Sequence, residues 1–377
     1  PYDGAGVRHA QMLGERRPRH QAAVGCQRIV RHRQAHPPAC RRERELTFTR
    51  RVKPGQTLFG KRRPYQRKVA FAEFDAVCSG DIYTFEADEA HLLGELLPFL
   101  VQSAGFFDHA LGTSAGSLSP RTNWRDLKDF EFDLAPLDEQ KRIADLLWAI
   151  ERHKCALAAE ANSAHQVLAQ ITVSRLARLP TTVRLGDIAT TKSGPSFAAS
   201  DVNEEAVPDS VPVIGIPNTK PDGTIDLACV SHVTGLRATV GRIDESSLVL
   251  IRTNGNRQRI GNVYLPPVEA NGHAVSAFQF LMRTHDPSDR DFLFWVLNES
   301  GMQDRMSDAA SGTVGLGNLA VRWLNAQLIP WTDCRDVKRE IVEELRMLSD
   351  AIKSIRAEIA AVSSVAAAVR DEMLRGN

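Results

Sequence analysis

Two stretches of the chain carry apolar residues at a seven-residue period. The first follows Pro136 and ends before Pro180, and the second covers residues 333–377. Such spacing is typical of long helices that pack along a coiled-coil seam. The seam is predicted to comprise Ile143, Leu147, Ile150, Leu157, Leu168, Ile171, Ile341, Leu345, Leu348, Ile352, Ile355, Ile359 and Val362.

Two cations interrupt the apolar seam of the first helix. Lys154 and Arg175 occupy seam positions, where they either fix the register of the pair or face water near a frayed end. An exposed apolar seam is unstable in water, so each helix must pack against another. We expect the two helices to pack against each other and to run antiparallel, with pairing to another subunit as the alternative.

The segments before the two helices have the patterns of mixed domains, with short strands and one helical stretch each. Strands are predicted at residues 52–59, 68–71, 78–85, 211–216, 247–251 and 261–265. Helices are predicted at residues 89–109 and 292–306.

The second half of the chain repeats the first at an offset of about 197 residues. Ser114 matches Ser311, and Lys141 matches Lys338. A constant offset of half the chain indicates an internal duplication. The predicted fold class is α+β, with two mixed α/β domains separated by two long antiparallel coiled-coil helices in a pseudo-two-fold internal repeat. The expected segments are 1–45, 46–135, 136–179, 180–332 and 333–377.

Residues 1–45 differ from the rest of the chain, since they are rich in Arg, His, Gln and Pro and show no clear period. Residues 1–68 hold eighteen Arg or Lys against four Asp or Glu, whereas the net charge of the whole chain is +1. The basic segment is either a phosphate-facing surface or a disordered or mis-framed tail. We therefore expect the first mixed domain to be incomplete at its start.

Motifs for catalysis are missing from the sequence. It holds neither a phosphate-binding G-x-x-x-x-G-K-[ST] loop nor the glycine-rich turn and Asn/Asp-Pro-Pro-aromatic segment of an amino methyltransferase. The glycines of residues 312–317 are predicted to form a loop before a strand. Cys26, His32, His36 and Cys40 lack a familiar zinc spacing, so no metal site is expected.

The six cysteines and the hydropathy of the chain bear on its location. The cysteines are scattered and form no C-x-x-C pair. No apolar run approaches 18 residues. We expect reduced thiols, a cytoplasmic location and no contact with a membrane.

Two loops carry side chains suited to DNA. Residues 61–68 hold five cations and a tyrosine, which can neutralise phosphates or contact guanine, although a solvated turn is the alternative. Residues 252–259 combine Arg, Asn and Gln, which bind guanine and adenine edges, although Asn254–Gly255 also fits a plain turn. The candidate DNA-binding residues are Lys61, Arg62, Arg63, Tyr65, Arg67, Lys68, Arg252, Asn254, Asn256, Arg257 and Arg259.

Three segments resemble the specificity subunit of type I restriction-modification systems. Residues 54–65 with 68–70 are similar to a strand and loop of that family's first domain. Residues 136–144 resemble the start of its central helix, and residues 183–188 resemble the opening of its second domain. The resemblance extends over residues 48–377.

The resemblance implies a non-catalytic subunit that binds double-stranded DNA. Two target-recognition domains, residues 46–135 and 180–332, would each read half of a bipartite site, with the helices fixing the spacing. Expected partners are two methyltransferase subunits and restriction/translocase subunits, which would carry S-adenosylmethionine, ATP and Mg, whereas this chain would bind none of these. The alternative is a degenerate scaffold that binds the methyltransferase subunits without full DNA recognition.

Overall fold

Short apolar runs separated by Pro, Gly and Asp give the first domain strands of only three or four residues. The computed structural model describes residues 50–116, 119–312 and 316–373, so the predicted atypical segment 1–45 lies outside the described residues. The first elements are β1 (Arg50–Val52), β2 (Thr57–Gly60), β3 (Val69–Phe71), β4 (Ala76–Cys78), β5 (Ile82–Phe85), α1 (Leu97–Leu100), α2 (Ala104–Gly112), α3 (Trp124–Leu127) and α4 (Leu137–Ala177).

The second half of the chain begins where Pro180 ends the first long helix. Its elements are β6 (Thr181–Arg184), α5 (Leu185–Ile188), β7 (Ala189–Ser193), β8 (Val202–Asn203), β9 (Val211–Ile214), β10 (Ser231–Val233), β11 (Ser247–Ile251), β12 (Thr253–Asn254), β13 (Val263–Tyr264), β14 (Ala274–Val275), β15 (Gln279–Thr284), α6 (Arg290–Leu297), α7 (Ser300–Ala309), β16 (Gly317–Asn318), α8 (Val321–Asn325), β17 (Leu328–Trp331) and α9 (Arg335–Met373).

Two units divide the chain, and the division passes through both long helices. The first unit runs to Ala159 and resumes at Arg356, and the second is Glu160–Ile355. Each unit therefore holds one mixed domain together with part of α4 and part of α9.

The first unit is built on an antiparallel sheet with the strand order β3-β2-β5, beside a β1-β4 pair. Its core is aromatic: the Phe59 and Phe106 rings meet edge to face with centroids 5.5 Å apart. Ile143 and Leu147 of α4 are buried in the same core. The apolar face of the helix is therefore anchored in the domain that precedes it.

The second unit has the sheet β13-β11-β15-β7 and a second sheet with the order β14-β9-β10-β8. Strands β12 and β16 pair with each other, as do β17 and β6. The main core lies between the first sheet and the helices and includes Leu168 of α4 and Leu345 of α9. Both long helices thus contribute to this core as well.

The same arrangement of elements occurs in both units, which confirms the internal repeat. Strand β2 lies between β3 and β5, as β11 lies between β13 and β15. Helices α1 to α4 correspond in order to α6 to α9 at offsets near 197 residues.

Each helical stretch predicted as one helix is broken into two, which corrects the expectation for residues 89–109 and 292–306. The first is α1 and α2, and Ser103 between them is extended and accepts a hydrogen bond from the Phe106 N–H. The second is α6 and α7, where the Glu299 carboxylate accepts hydrogen bonds from the N–H groups of Gly301 and Met302. Both breaks are N-caps at equivalent positions, and a cap interrupts a helix without interrupting its apolar pattern.

The long helices bury the seam that the heptad pattern predicts. All thirteen predicted seam residues are buried or half-buried. In the second unit, Arg175 late in α4 donates to Glu344 early in α9 at 2.6 Å and lies 3.3 Å from Glu340. In the first unit, His153 Nε2 lies 3.5 Å from Glu358 Oε1. Late residues of α4 meet early residues of α9, so the two helices run antiparallel.

The two cations in the seam have different partners. Arg175 bonds across to α9, which fits the expectation that it fixes the register of the pair. Lys154 instead donates to Glu151 of its own helix at 2.7 Å, and the pair is partly buried. None of the helices in the described residues is long and apolar enough to cross a membrane.

A buried ion pair fixes the start of α9 to the second domain. Lys338 Nζ donates to Asp289 Oδ1 at 2.6 Å, and the two side chains are 8% and 14% exposed. The same ammonium lies 3.6 Å from the centroid of the Trp331 ring. The equivalent Lys141 donates to Glu95 and Asp145 at 2.8 Å each but is about half exposed. Of the two, only the Lys338–Asp289 pair is desolvated, so only that pair should be costly to break.

We expect Lys338→Met to destabilise the second unit by about 3–5 kcal/mol, because it leaves the Asp289 carboxylate buried without a counter-charge. Urea denaturation followed by tryptophan fluorescence measures the change. The matched control is Lys141→Met, which should cost no more than about 1 kcal/mol because its ion pair is exposed. Equal losses for the two variants would contradict this account.

Candidate nucleic-acid interface

The first candidate loop, residues 61–68, follows directly from strand β2. The Lys61 N–H donates to the Asp81 carbonyl oxygen at 3.0 Å, and the Lys61 carbonyl accepts from the Thr122 N–H at 3.0 Å. Arg62 forms an isolated antiparallel bridge with Arg121. A short 3₁₀ turn, Pro64–Gln66, then returns the chain to β3. The loop is therefore held by backbone hydrogen bonds to two distant segments.

The second candidate loop, residues 252–259, follows from strand β11 in the same manner. The Arg252 N–H donates to the Phe278 carbonyl oxygen at 2.9 Å, and the Arg252 carbonyl accepts from the Leu319 N–H at 2.9 Å. Thr253 is paired with Asn318 between β12 and β16. A 3₁₀ turn, Arg257–Arg259, follows. Two backbone hydrogen bonds and the bridge of the first loop thus recur in the second.

The repeat extends to a cation over an aromatic ring. Lys61 Nζ lies 5.0 Å from the centroid of Tyr83, and Arg252 Cζ lies 5.7 Å from the centroid of Phe280. Tyr83 and Phe280 are 197 residues apart, and so are Asp81 and Phe278. The two loops, selected from sequence for their composition, therefore occupy equivalent positions in the two copies of the domain.

The side chains around the first loop form a charged cluster. Asp81 lies 3.4 Å from an Arg62 nitrogen and 3.5 Å from an Arg121 nitrogen, and both arginine side chains are about half exposed. One carboxylate therefore faces two guanidinium groups, which leaves the cluster with a net positive charge. Such a cluster suits an anion or the acceptor edge of a base.

The equivalent cluster in the second unit is neutral. The Thr253 hydroxyl donates to the Asn318 side-chain oxygen at 2.9 Å, where the first unit has Arg62 and Arg121. Phe278 takes the place of Asp81, and its side chain is 50% exposed. An aromatic ring beside a polar loop is suited to apolar contact with a partner rather than to contact with ions.

Backbone strain marks the first loop. Arg63 and Arg67, on either side of the 3₁₀ turn, have φ angles of 54° and 47°. Such left-handed conformations cost L-residues about 1–2 kcal/mol each. Strained residues of this kind cluster at binding sites, where the surrounding structure holds them in place. The functional loop and the solvated turn that was its alternative both remain predictions.

Several side chains of the first loop are exposed, so a binding partner could reach them. Tyr65 is 54% exposed, and Arg62, Arg63, Arg67 and Lys68 are also exposed. The Arg67 guanidinium lies 5.2 Å from the centroid of the Phe107 ring, a cation–π contact.

The second-loop candidates differ in what holds them. Arg259 donates from Nη2 to the Thr219 carbonyl oxygen and is half-buried, so a structural role accounts for it. The side-chain oxygens of Asn254 and Asn256 accept backbone N–H groups two residues ahead, at 2.8 and 3.1 Å, which is the turn chemistry expected as the alternative. Arg257 is exposed and donates to the Gly312 carbonyl at 3.2 Å.

Four residues of these clusters were not among the sequence-based candidates: Asp81, Arg121, Phe278 and Asn318. They lie 19 to 65 residues from the loops they contact, so the composition of a single stretch could not find them. The offset of 197 residues was the available signal, because it aligns Asp81 with Phe278 and Arg121 with Asn318.

The predicted absence of a metal site rests on the sequence. Among the residues that the structure describes, no group of three or more His, Cys, Asp or Glu side chains could hold a metal ion. Cys26, His32, His36 and Cys40 lie outside the described residues.

Comparison with known proteins identifies the class to which this architecture corresponds. No family model matches the chain. Over 125 residues the chain is 28% identical to the specificity subunit of the type I restriction enzyme EcoDI from Escherichia coli. This segment is 33% of the present chain and spans only 27% of the length of that relative.

Solved structures extend the similarity to most of the chain. The S subunit of a type I restriction-modification system from M. genitalium matches with a TM-score of 0.50 and 14% identity, covering 87% of this chain and 84% of that one. A chain from a structure on complex assembly and conformational transition of the type I system matches with a TM-score of 0.52 and 17% identity, covering 89% and 85%. At such identities the similarity establishes the fold alone.

The chain therefore has the fold of type I restriction-modification specificity subunits and resembles one of them in sequence over a third of its length. The predicted fold class, two mixed domains with two long coiled-coil helices, is confirmed.

We expect Arg259→Ala to lower the free energy of unfolding of the second unit by about 1.5–3 kcal/mol, because a charged donor to a backbone carbonyl is removed. Arg257→Ala should change it by less than about 0.5 kcal/mol, because that side chain is exposed. Urea titrations of the two variants measure the difference. If Arg257→Ala were the more destabilising change, Arg257 rather than Arg259 would be the structural residue.

Proposed function

We propose that the chain is the DNA-reading specificity subunit of a type I restriction-modification complex. Each domain would contact one half of a bipartite double-stranded site through the loop that follows its central strand. The observation that carries the proposal is the equivalence of residues 61–68 and 252–259, which share backbone hydrogen bonds although their sequences differ. A duplicated frame with different side chains is what two readers of two different half-sites require.

The chemistry of the two loops supports contact with DNA. Four cations of the first loop, at residues 62, 63, 67 and 68, and Arg257 of the second are exposed and can neutralise phosphates. Arginine donors also match the acceptors of guanine in the major groove, and Asn and Gln match adenine. The paired helices α4 and α9 would fix the distance between the two readers, since a coiled coil resists bending.

The same proposal assigns the chemistry of the complex to other subunits. Two methyltransferase subunits and the restriction/translocase subunits would bind S-adenosylmethionine, ATP and Mg, and this chain would position them on DNA in the cytoplasm. It would itself be non-catalytic, in keeping with the lack of cofactor-binding motifs in its sequence. Methyl transfer to DNA by the purified chain with S-adenosylmethionine alone would refute this assignment.

The second candidate function is a scaffold that binds the methyltransferase subunits but no longer reads both half-sites. The observation that favours it is the atypical composition of residues 1–45, since the family that the chain resembles would open its first domain with a segment like Val183–Ser193. The intact frame of the first loop argues against it, because a domain without a DNA-reading function would not need to keep a strained basic loop.

Sequencing the methylated bases of a host that expresses this chain with its methyltransferase partner separates the two functions. A bipartite motif with two defined halves is the expected result. A motif defined on one side only would support the scaffold, and the absence of any motif would overturn the proposal.

We expect the double variant Arg62→Ala, Arg63→Ala to bind DNA more weakly and with a flatter salt dependence. Each phosphate that the variant no longer neutralises should lower the slope of log K against log salt by about 0.9. Fluorescence anisotropy of the complex with a labelled duplex at several salt concentrations measures both quantities.

The matched control for this pair removes two charges from strand β1 and the turn that follows it, in Arg51→Ala with Lys53→Ala. Both side chains are exposed in the same unit, so the change in net charge is identical. The control should keep the salt slope of the wild-type complex. An equal loss of affinity in both double variants would show that only net charge matters and that the loop makes no specific contact.

A further inference from the structure

One structural position carries opposite chemistry in the two units. The backbone carbonyl of Asp81 accepts the N–H of Lys61, and the backbone carbonyl of Phe278 accepts the N–H of Arg252. The backbone at this position therefore holds the loop in both copies. The side chain is an acid that faces two arginines in one copy and a half-exposed aromatic ring in the other.

We propose that the residue at this position, Asp81 in the first unit and Phe278 in the second, determines which base pair each domain selects. Asp81 directs the first domain to a G·C pair through Arg62 and Arg121. Phe278 directs the second domain to an A·T pair through contact with the thymine methyl group. The inference rests on the proposed DNA-reading function and adds base chemistry to it.

In the first domain, the preference for a G·C pair results from the orientation that Asp81 gives to the two arginines. Its two carboxylate oxygens lie 3.4 Å from Arg62 and 3.5 Å from Arg121, so each guanidinium keeps most of its five N–H donors for a ligand. A guanidinium that is already oriented loses less side-chain entropy on binding. Guanine presents two adjacent acceptors, O6 and N7, which match this fork.

Asp81 also limits binding to the wrong partner. A carboxylate between two cations lowers the attraction of the cluster for phosphate, which every DNA sequence offers equally. The cytosine amino group is a donor that a carboxylate can accept. The cluster Arg62–Asp81–Arg121 therefore offers donors and an acceptor side by side, as a G·C pair does.

The second domain has no charged group at the three equivalent positions. Thr253 and Asn318 are hydrogen-bonded to each other at 2.9 Å, and Phe278 is half exposed beside them. The N–H groups of Arg252 and Thr253 both donate to the Phe278 carbonyl, so the backbone of Phe278 is held against the loop. An exposed apolar ring gains from covering a methyl group, and in the major groove the only methyl group belongs to thymine.

DNA is the occupant that the surroundings of Phe278 favour. The Arg252 guanidinium lies over the ring of Phe280, two residues after Phe278, and Arg257 is exposed in the same loop as Arg252. An apolar protein partner would not favour cations around its contact, whereas a base flanked by phosphates would.

The test begins with the complex of this chain and its methyltransferase partner, selecting from a random double-stranded DNA library. For the wild type we expect a bipartite motif with a G·C requirement in one half and an A·T requirement in the other. Phe278→Ala should lose roughly tenfold discrimination at one A·T position and leave the other half unchanged. Phe278→Leu, which keeps an apolar contact, should retain most of that discrimination.

Replacing the selected thymine by deoxyuridine tests the methyl contact itself. The wild-type complex should bind the uracil duplex more weakly than the thymine duplex, and Phe278→Ala should bind the two equally. The salt slope should be the same for both proteins, because an apolar contact releases no counterions. A variant that still preferred the thymine duplex as strongly as the wild type would overturn the assignment of the ring to the methyl group.

Asp81→Ala tests the other copy. We expect its affinity for unrelated DNA to rise severalfold, because a negative charge is removed beside two arginines, while the G·C requirement in one half-site weakens. A motif that is unchanged in both halves for Asp81→Ala and Phe278→Ala would overturn the inference and leave the DNA-reading function standing. A wild-type complex that selects no motif would overturn the DNA-reading function itself.

Discussion

The structure depends on the burial of one apolar seam along two helices that are too long to be covered by either domain alone. An amphipathic helix of about forty residues is not stable in water unless its apolar face is covered. Each unit covers part of α4 and part of α9, with Ile143 and Leu147 in the first core and Leu345 in the second. The domains and the helices therefore stabilise one another. Separating a domain from its helix segments would expose apolar core residues to water.

Polar interactions fix the register of the helices, which apolar burial alone does not specify because it has no direction. Arg175 pairs α4 with α9 through Glu344, and Lys338 joins the start of α9 to the second domain through Asp289. A buried pair of this kind adds little net stability but penalises any shifted arrangement. The equivalent pair in the first unit, Lys141 with Glu95, is exposed, so that unit relies more on aromatic packing around Phe59.

The sequence predicted the elements whose signal is periodic or local. The heptads located both helices and the seam, and the offset of 197 residues revealed the duplication. Local composition found the loops at Lys61 and Arg252. It could not show that Arg259 is turned into the domain or that Asp81 lies beside Arg121, because those contacts join segments far apart in the chain. The breaks at Ser103 and Glu299 were missed because a cap leaves the apolar pattern intact.

A division of labour between backbone and side chain explains how two copies of one domain could come to differ in what they read. At residues 81 and 278 the bond that holds the loop uses a carbonyl oxygen, which every amino acid supplies. The side chain there is partly exposed and carries little of the core. Replacing it therefore costs the fold little, whereas it changes the surface offered beside the loop from ionic to apolar. A frame held by backbone bonds can thus vary its recognition surface one residue at a time.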